Sequence, residues 1–257
     1  MTGLPPELAA WLTAGFWHAA LVFIRVSALV SMLPAFGEQS VPVRVKLGIA
    51  MAFTLVVAPA VPSLPEPADL LALARLAGTE VTVGLALGVA VRFFIFALQT
   101  AGSIAAQATS LSQLMGPASG EPTPAMGHVL VVGGLALAVM SGLHVRAAEL
   151  MIGSYEIFPA GRLPDPRPLA MWGTNRIAQS FQLAFMLAAP FAIASLIYYL
   201  TLGVINRAMP QLMVAFVGAP VITAGGLFLL FAGAPYMLQV WHEALTGFLA
   251  NPLEAGP

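Results

Sequence analysis

The stretch GVINRAMPQLMVAFVGAP, residues 203–220, separates two long apolar runs that contain no charged side chain. It brings together polar residues and residues that interrupt helices, namely Asn206, Arg207, Pro210, Gln211, Gly218 and Pro220. Because glycine and proline mark helix ends and turns, the pattern predicts a helical hairpin at this point. Arg207 would lie in the last turn of the first helix, where a cation complements the helix dipole and can cap free carbonyl groups.

The composition indicates a membrane protein. Hydrophobic residues make up 59% of the 257 residues and charged residues only 8%, and the mean hydropathy is +0.90. An ordinary soluble domain is about 25% charged. The net charge is -1 and the basic residues are scattered, which excludes nucleic acid as a main partner. The chain has no cysteine, so disulfides, thiolate metal sites and thiol catalysis are excluded.

The apolar pattern predicts an all-α fold of integral-membrane-type helical hairpins, with kinked and short helices, in a single helical domain over residues 1–257. About six hydrophobic segments are expected, at 11–33, 47–61, 81–106, 129–143, 177–205 and 212–241. A bilayer core of about 30 Å needs about 20 helical residues, and the second and fourth segments are too short for this. Each must therefore thin the bilayer, re-enter it, or lie inside protein. The arginines of the connections do not settle the membrane orientation.

Arg25 is an unusual residue to find in the first segment. It lies in LVFIRVSALVSMLP, where an arginine facing lipid would cost at least ~2.5 kcal/mol. His18 lies on roughly the same helix face, seven positions earlier. Two interpretations stay open. Arg25 and His18 line a polar conduit, or they form a buried pair that binds neighbouring backbone carbonyl groups.

The third segment carries a stripe of charged and small residues. Glu80, Gly84, Gly88 and Arg92 recur every four positions and share one helix face. Glycines at this spacing let another helix approach closely in a membrane, so the stripe favours tight packing against a helix of this chain or of another subunit. Gly102, further along, lies in a polar end of the same helix that would meet water or another chain.

The sequence predicts no enzyme. It has no phosphate-binding loop, no pair of histidines with metal-ligand spacing and no nucleophile elbow. Intramembrane proteolysis needs two aspartates in apolar helices, or a serine with a histidine, but Asp69 and Asp165 both lie in connections. We therefore expect no catalytic residue, no metal site and no cofactor.

Several stretches resemble, in the same order, parts of the FliR family of flagellar type III export-gate proteins. LGVINRAMPQLMVAFVGAP resembles the family signature that leads into the last helix. Residues 27–59 resemble the first connection of the family, and further matches are GTEVTVGLALGVAVRFF at 78–94, GLH at 142–144 and SYEIFPAG at 154–161. Together these matches extend over most of the chain.

The resemblance implies a structural, pore-forming subunit of an export gate, located in the bacterial inner (cell) membrane at the flagellar basal body. It implies a helical core shared with FliP-like and FliQ-like subunits, with FlhB-like and FlhA-like export components as further partners. Unfolded flagellar subunits would pass through this core. In such an assembly, short helices, prolines and buried arginines find partners in neighbouring protein chains rather than in lipid. Asn206, Arg207 and Gln211 would then bind adjoining chains at the hairpin.

The resemblance also implies a gate in the loop 109–126. This loop would lie across the lumen, where Leu111, Leu114 and Met115 form an apolar seal that the substrate displaces, followed by Gly116 and Pro117. Methionine suits a seal because its flexible thioether adapts to irregular shapes. The alternative is an ordinary flexible connector, since ATSLSQLMGP at 108–117 departs from the pattern of the family.

Two other functions are compatible with parts of the sequence. The same subunit of a virulence injectisome would have an indistinguishable fold. A secondary transporter is suggested by Pro190, Pro220 and Pro235, which would break long helices. Transporters with broken helices usually have inverted repeats and an ion site near the midplane. The sequence shows no such repeat, and the last two apolar runs contain no acidic residue.

Overall fold

A computed structural model describes residues 6–64, 66–109, 125–209 and 214–254. Within these ranges the chain forms seven α-helices and no strand, which confirms the predicted all-α fold. The helices are α1 (Pro6–Met32), α2 (Val43–Val57), α3 (Leu70–Thr109), α4 (Ala125–Met140), α5 (Leu143–Ile157), α6 (Pro166–Ala208) and α7 (Val214–Ala250). A 3-10 turn, Ala58–Ala60, follows α2 directly.

The lengths and compositions of these helices are those of a membrane protein. Five helices are long and apolar enough to cross a membrane, namely α1, α2 with its 3-10 turn, α3, α6 and α7, and the pair α4 and α5 qualifies as a sixth, broken span. The 40 residues of α3 would extend roughly 60 Å, about twice the thickness of a bilayer core. A helix of this length reaches well beyond the hydrocarbon region.

Several helices differ in extent from the predicted apolar segments. Helices α3 and α6 begin about ten residues earlier than predicted. The residues before each apolar run include polar ones, such as Arg75 and Glu80 in α3 and Arg167 and Arg176 in α6, which are compatible with a helix but not with an apolar run. Helix α5 lies largely outside the predicted segments, since Arg146, Glu149 and Glu156 interrupt its hydrophobic pattern. It follows Gly142, whose φ of 87° is one that glycine adopts readily.

The prolines of the last two helices do not end them. Pro190 lies inside α6, and Pro220 and Pro235 lie inside α7. Each proline removes one backbone hydrogen bond but leaves the helix continuous on both sides. The feature that suggested a transporter, a pair of broken helices, is therefore not seen in residues 166–208 and 214–250.

The described chain forms two compact units. Unit 1 consists of Met1–Phe93, Val139–Arg176 and Leu245–Pro257, and unit 2 consists of Phe94–Ala138 and Ile177–Ala244. Large side chains buried in unit 1 are Leu21, Leu29, Leu33, Leu87, Met151 and Leu245, and those buried in unit 2 are Ile95, Leu98, Leu130, Phe191 and Trp241. Each unit thus has an apolar core of its own.

Candidate functional site

Arg25 is buried in unit 1 and uses its whole guanidinium group. Nε donates to Glu80 Oε2 at 2.7 Å, Nη1 donates to the carbonyl oxygen and Oγ of Ser154 at 3.2 Å, and Nη2 donates to the Phe158 carbonyl oxygen at 3.1 Å. The ring of Tyr155 lies 3.7 Å from Arg25 Cζ. We call these five residues the Arg25 cluster. It joins α1, α3 and α5.

Burial of this ion pair is compatible with a stable fold because nearly every polar atom has a partner. Arg25 is 1% exposed and Glu80 is 0% exposed. The second carboxylate oxygen, Glu80 Oε1, accepts a hydrogen bond from the Gly161 backbone N–H at 3.3 Å. A buried pair offsets its desolvation only when further hydrogen bonds satisfy the remaining groups. Here α5 and the residues after it provide those groups.

His18 lies apart from the Arg25 cluster and has partners of its own. Nε2 lies 2.8 Å from the Ala58 carbonyl oxygen, and Nδ1 accepts a hydrogen bond from the Leu64 N–H at 3.1 Å. A backbone N–H can only donate, so Nδ1 must be unprotonated and Nε2 must carry the proton that is donated to Ala58. His18 therefore fixes the segment after α2 against α1, and its hydrogen-bond partners differ from those of Arg25.

Two glycines of the α3 stripe lie against α1. A β-carbon added to Gly84 would overlap the Arg25 carbonyl oxygen and lie 2.8 Å from Ala28 Cβ. One added to Gly88 would lie 2.9 Å from Met32 Cβ. The two backbones approach so closely that only glycine fits at these two positions. The partner helix of the stripe thus belongs to the same chain.

Arg92 ends the stripe and binds a residue that sequence analysis did not associate with it. Its Nη1 and Nη2 atoms donate to the two carboxylate oxygens of Glu38, at 2.5 and 3.1 Å. Such two-point pairing fixes the geometry of both groups. Glu38 lies in the connection between α1 and α2, so this pair holds that connection against α3.

Gly102 makes a close helix crossing in unit 2. A β-carbon at this position would overlap Gly127 Cα and lie 2.6 Å from the Gly127 nitrogen. Helices α3 and α4 therefore touch through their backbones at this point. Trp241 of α7 is fully buried in the same unit, and its Nε1 donates to the Phe94 carbonyl oxygen at 2.7 Å.

The residues of the predicted hairpin are only partly described. Asn206 and Arg207 lie in the last turn of α6 with exposed side chains, whereas Pro210 and Gln211 lie outside the described residues. Tyr198 Oη donates to the Gly218 carbonyl oxygen at 2.5 Å, which ties α6 to the start of α7. Pro220 is exposed on α7.

The predicted gate residues Leu111, Leu114, Met115, Gly116 and Pro117 also lie outside the described residues. The structure does describe the residues on either side. Thr109 ends α3, Met126 lies in the first turn of α4, and Thr109 Oγ1 lies 3.8 Å from Met126 Sδ. The chain therefore leaves α3 and enters α4 at neighbouring points.

A row of apolar side chains on α6 has no covering partner within the described part of unit 2. It consists of Ile193, Leu196, Ile197, Leu200 and Val204, and we call it the α6 row. The exposed fraction of these side chains ranges from 59% for Ile193 to 71% for Val204. Their spacing of three, four and seven places them on one helix face. Such a face is suited to lipid or to another helix.

The C-terminal segment is held in unit 1 by residues that the sequence analysis did not single out. Arg176 Nη2 donates to the carbonyl oxygens of Pro252, at 3.0 Å, and of Glu254, and Trp172 Nε1 donates to the Pro252 carbonyl oxygen at 2.9 Å. Arg176 Cζ lies 4.9 Å from the centre of the Phe248 ring. We call these contacts the C-terminal anchor.

The charged side chains of Arg25, Arg92 and Arg176 are paired with carboxylates or with backbone groups. Within residues 6–64, 66–109, 125–209 and 214–254, no three His, Asp or Glu side chains lie close enough to hold a metal ion. The buried charges of the Arg25 cluster are engaged with each other and with backbone groups. The arrangement is suited to fixing helices in place.

Comparison with known proteins gives consistent matches along nearly the whole chain. The family described as bacterial export proteins, family 1, matches residues 16–248. The flagellar biosynthetic protein FliR of Caulobacter vibrioides is 35% identical over 88% of this chain and 91% of that protein. FliR of Escherichia coli is 32% identical over 95% of this chain and 92% of that protein. The Yop proteins translocation protein T of Yersinia pestis is 26% identical over 89% of each chain.

Proposed function

Because this chain belongs to the family of bacterial export proteins, family 1, we propose that it is the structural, pore-forming subunit of a flagellar type III protein export gate. The observation that carries the proposal is the likeness to two flagellar FliR proteins at 35% and 32% identity over almost their full lengths. The matched range, residues 16–248, includes the Arg25 cluster, the α6 row and both sides of the predicted gate loop.

The proposed partners are FliP-like and FliQ-like subunits, with FlhB-like and FlhA-like components of the same apparatus. The exposed apolar side chains support a shared helical core. Besides the α6 row, α2 exposes Val43 and Leu55, and α7 exposes Phe228 and Phe231. A helix that spans a membrane alone would also expose apolar groups, but α3 is about twice as long as a bilayer core requires. Neighbouring protein chains would cover the part of α3 that extends beyond the lipid.

The proposed role is passive. Unfolded protein substrates pass through the channel, and the chain contributes walls and a seal rather than catalysis. The buried Arg25–Glu80 pair and the glycine contacts hold α1 and α3 together, which suits the wall of a channel. The proposed seal is the loop 109–126, with the apolar residues Leu111, Leu114 and Met115. The proposed location is the bacterial inner membrane.

Complementation tests the flagellar assignment. The chain is expressed in Escherichia coli that lacks its own FliR, and swimming and the amount of exported flagellar subunits are measured. We expect partial recovery of both, since the two proteins are 32% identical. Export restored only in a Yersinia strain that lacks translocation protein T would instead favour the injectisome, which the 26% identity to that protein keeps as a second candidate.

Deletion of residues 114–120 tests the seal. In cells that contain the assembled apparatus, we expect the shortened chain to increase the leakage of small ions at rest while the apparatus still assembles. Unchanged leakage from correctly assembled complexes would show that the loop is only a connector.

A further inference from the structure

Gly226 of α7 forms a notch that receives the end of α3. A β-carbon added to Gly226 would lie 2.5 Å from Thr109 Cγ2, 2.6 Å from Thr109 Cβ and 2.9 Å from Thr109 Oγ1. These distances are too short for any side chain, and the atoms nearest to the notch include Thr109 Cβ, which cannot move without the backbone. A larger residue at 226 would therefore displace either α7 or the last turn of α3.

The position of Thr109 within the notch is fixed by hydrogen bonds. Thr109 Oγ1 donates to the Ala105 carbonyl oxygen at 2.9 Å, which sets the side-chain rotamer. Thr223, one turn before Gly226, donates from Oγ1 to the Thr109 carbonyl oxygen at 3.4 Å. Thr109 is only 4% exposed. Helix α7 thus holds both the side chain and the backbone of the last α3 residue.

The start of α4 is held at the same place. Met126 is buried and its Sδ lies 3.8 Å from Thr109 Oγ1. The close crossing of Gly102 and Gly127 fixes α4 against α3 just beyond this contact. A displacement of Thr109 would therefore change the positions of both helix ends relative to α7.

We propose that Gly226 is a positioning residue that sets the register of the α3 end against α7 and, through it, the tightness of the resting channel. This rests on the proposed function, in which the chain between α3 and α4 contributes the seal. The contact is specific to Gly226, since a β-carbon on the neighbouring Gly225 would meet nothing within 4 Å. Gly225 therefore provides a matched control for Gly226.

The experiment compares Gly226→Ala with Gly225→Ala in cells that contain the assembled export apparatus. Each variant adds one methyl group to the same helix and changes helix propensity equally. The readouts are the rate of potassium loss at rest, the amount of assembled apparatus and the amount of exported protein. We expect a severalfold increase in potassium loss for Gly226→Ala, no change for Gly225→Ala, and equal assembly of both.

A second variant tests the contact itself. Thr109→Gly removes the atoms that the new methyl group would strike, so the double variant Thr109→Gly with Gly226→Ala should leak less than Gly226→Ala alone. If Gly226→Ala does not accumulate, the same double variant should restore accumulation. Failure of Thr109→Gly to correct either defect would overturn the proposal.

The outcomes separate this proposal from the proposed seal. If deletion of 114–120 increases leakage but Gly226→Ala matches Gly225→Ala, the seal stands and the role of Gly226 is refuted. If neither variant nor the deletion increases leakage from assembled complexes, the seal and the role of Gly226 are refuted together, while recovered export in the complementation experiment would still support the assignment as an export subunit.

Discussion

At the scale of single residues, the Arg25 cluster shows how a charge is accommodated in an apolar chain. The guanidinium group of Arg25 satisfies its hydrogen bonds with one carboxylate, one hydroxyl and two carbonyl oxygens, all within unit 1. Removal of one member of a buried pair costs more than the pair contributes, because the other charge stays buried without a partner. Glu80 is therefore expected to be sensitive to truncation.

Glu80→Ala should lower the free energy of unfolding by about 3–5 kcal/mol, the range found when one partner of a buried pair is removed. Glu80→Gln should cost less, since the amide oxygen can still accept from Arg25. The measurement is the thermal unfolding midpoint of the purified chain in detergent. The exposed pair Arg146–Glu149, at 3.4 Å, is the control, and Glu149→Ala should cost about 1 kcal/mol or less. Equal effects of Glu80→Ala and Glu149→Ala would contradict the importance of the cluster.

Part of the Arg25 cluster could be predicted from the sequence. Arg25 could be recognised because a charge within an apolar segment is rare and must have a partner, and Glu80 because it begins the stripe that recurs every four residues along α3. Their pairing could not be predicted, since they are 55 positions apart. The contributions of Ser154 and Phe158 come largely from backbone carbonyl groups, which every residue has. No sequence pattern distinguishes the carbonyl group that will meet an arginine.

At the scale of helices, the close contact between α1 and α3 depends on Gly84 and Gly88. Gly84→Ala should destabilise the chain, because the added methyl group meets the Arg25 carbonyl oxygen and Ala28 Cβ, and overpacking of this kind typically costs about 1–3 kcal/mol. Gly78→Ala is the matched control on the same helix, since its methyl group would meet nothing within 4 Å. That variant should be neutral or stabilising by up to about 1 kcal/mol, because alanine favours helix.

The thermal unfolding midpoints of Gly84→Ala and Gly78→Ala test whether the close contact between α1 and α3 depends on glycine. The midpoint of Gly84→Ala should fall below that of the unmodified chain, whereas the midpoint of Gly78→Ala should equal or exceed it. A Gly84→Ala variant as stable as Gly78→Ala would mean that α1 and α3 can separate at no cost.

Helix identity was easier to predict than helix extent. The stripe of α3, which recurs every four positions, and the long apolar runs of α6 and α7 indicate helices directly. The first ten or so residues of α3 and α6 were not predicted as helix because Arg75 in α3, and Arg167 and Arg176 in α6, interrupt the apolar pattern there. Helix α5 was missed because it is short and carries Arg146, Glu149 and Glu156. Hydrophobicity predicts which segments can lie in a membrane, and these polar segments can form helices without lying in one.

At the scale of the whole molecule, much apolar surface is left uncovered, and the α6 row concentrates it on one helix face. If the row contacts a partner subunit, Leu200→Glu should abolish co-purification with the export apparatus while the chain itself still accumulates in the membrane. The amount of chain and the amount of co-purified apparatus are both measured.

Leu163→Glu is the control for Leu200→Glu, since Leu163 is equally exposed, at 62%, but lies in the connection between α5 and α6. It should assemble normally. A Leu200→Glu chain that fails to accumulate at all would indicate that the row faces lipid, where a charge is costly, rather than a partner.

The C-terminal anchor has a consequence for biosynthesis. Unit 1 draws on three separate parts of the chain, and the last of these, Leu245–Pro257, leaves the ribosome after all the others. Until then Arg176 and Trp172 lack the carbonyl oxygens of Pro252 and Glu254 that they bind in the finished fold. A nascent chain interrupted before residue 245 would thus leave this binding surface unfilled, and we expect such a chain to be cleaved by proteases more readily than the finished fold.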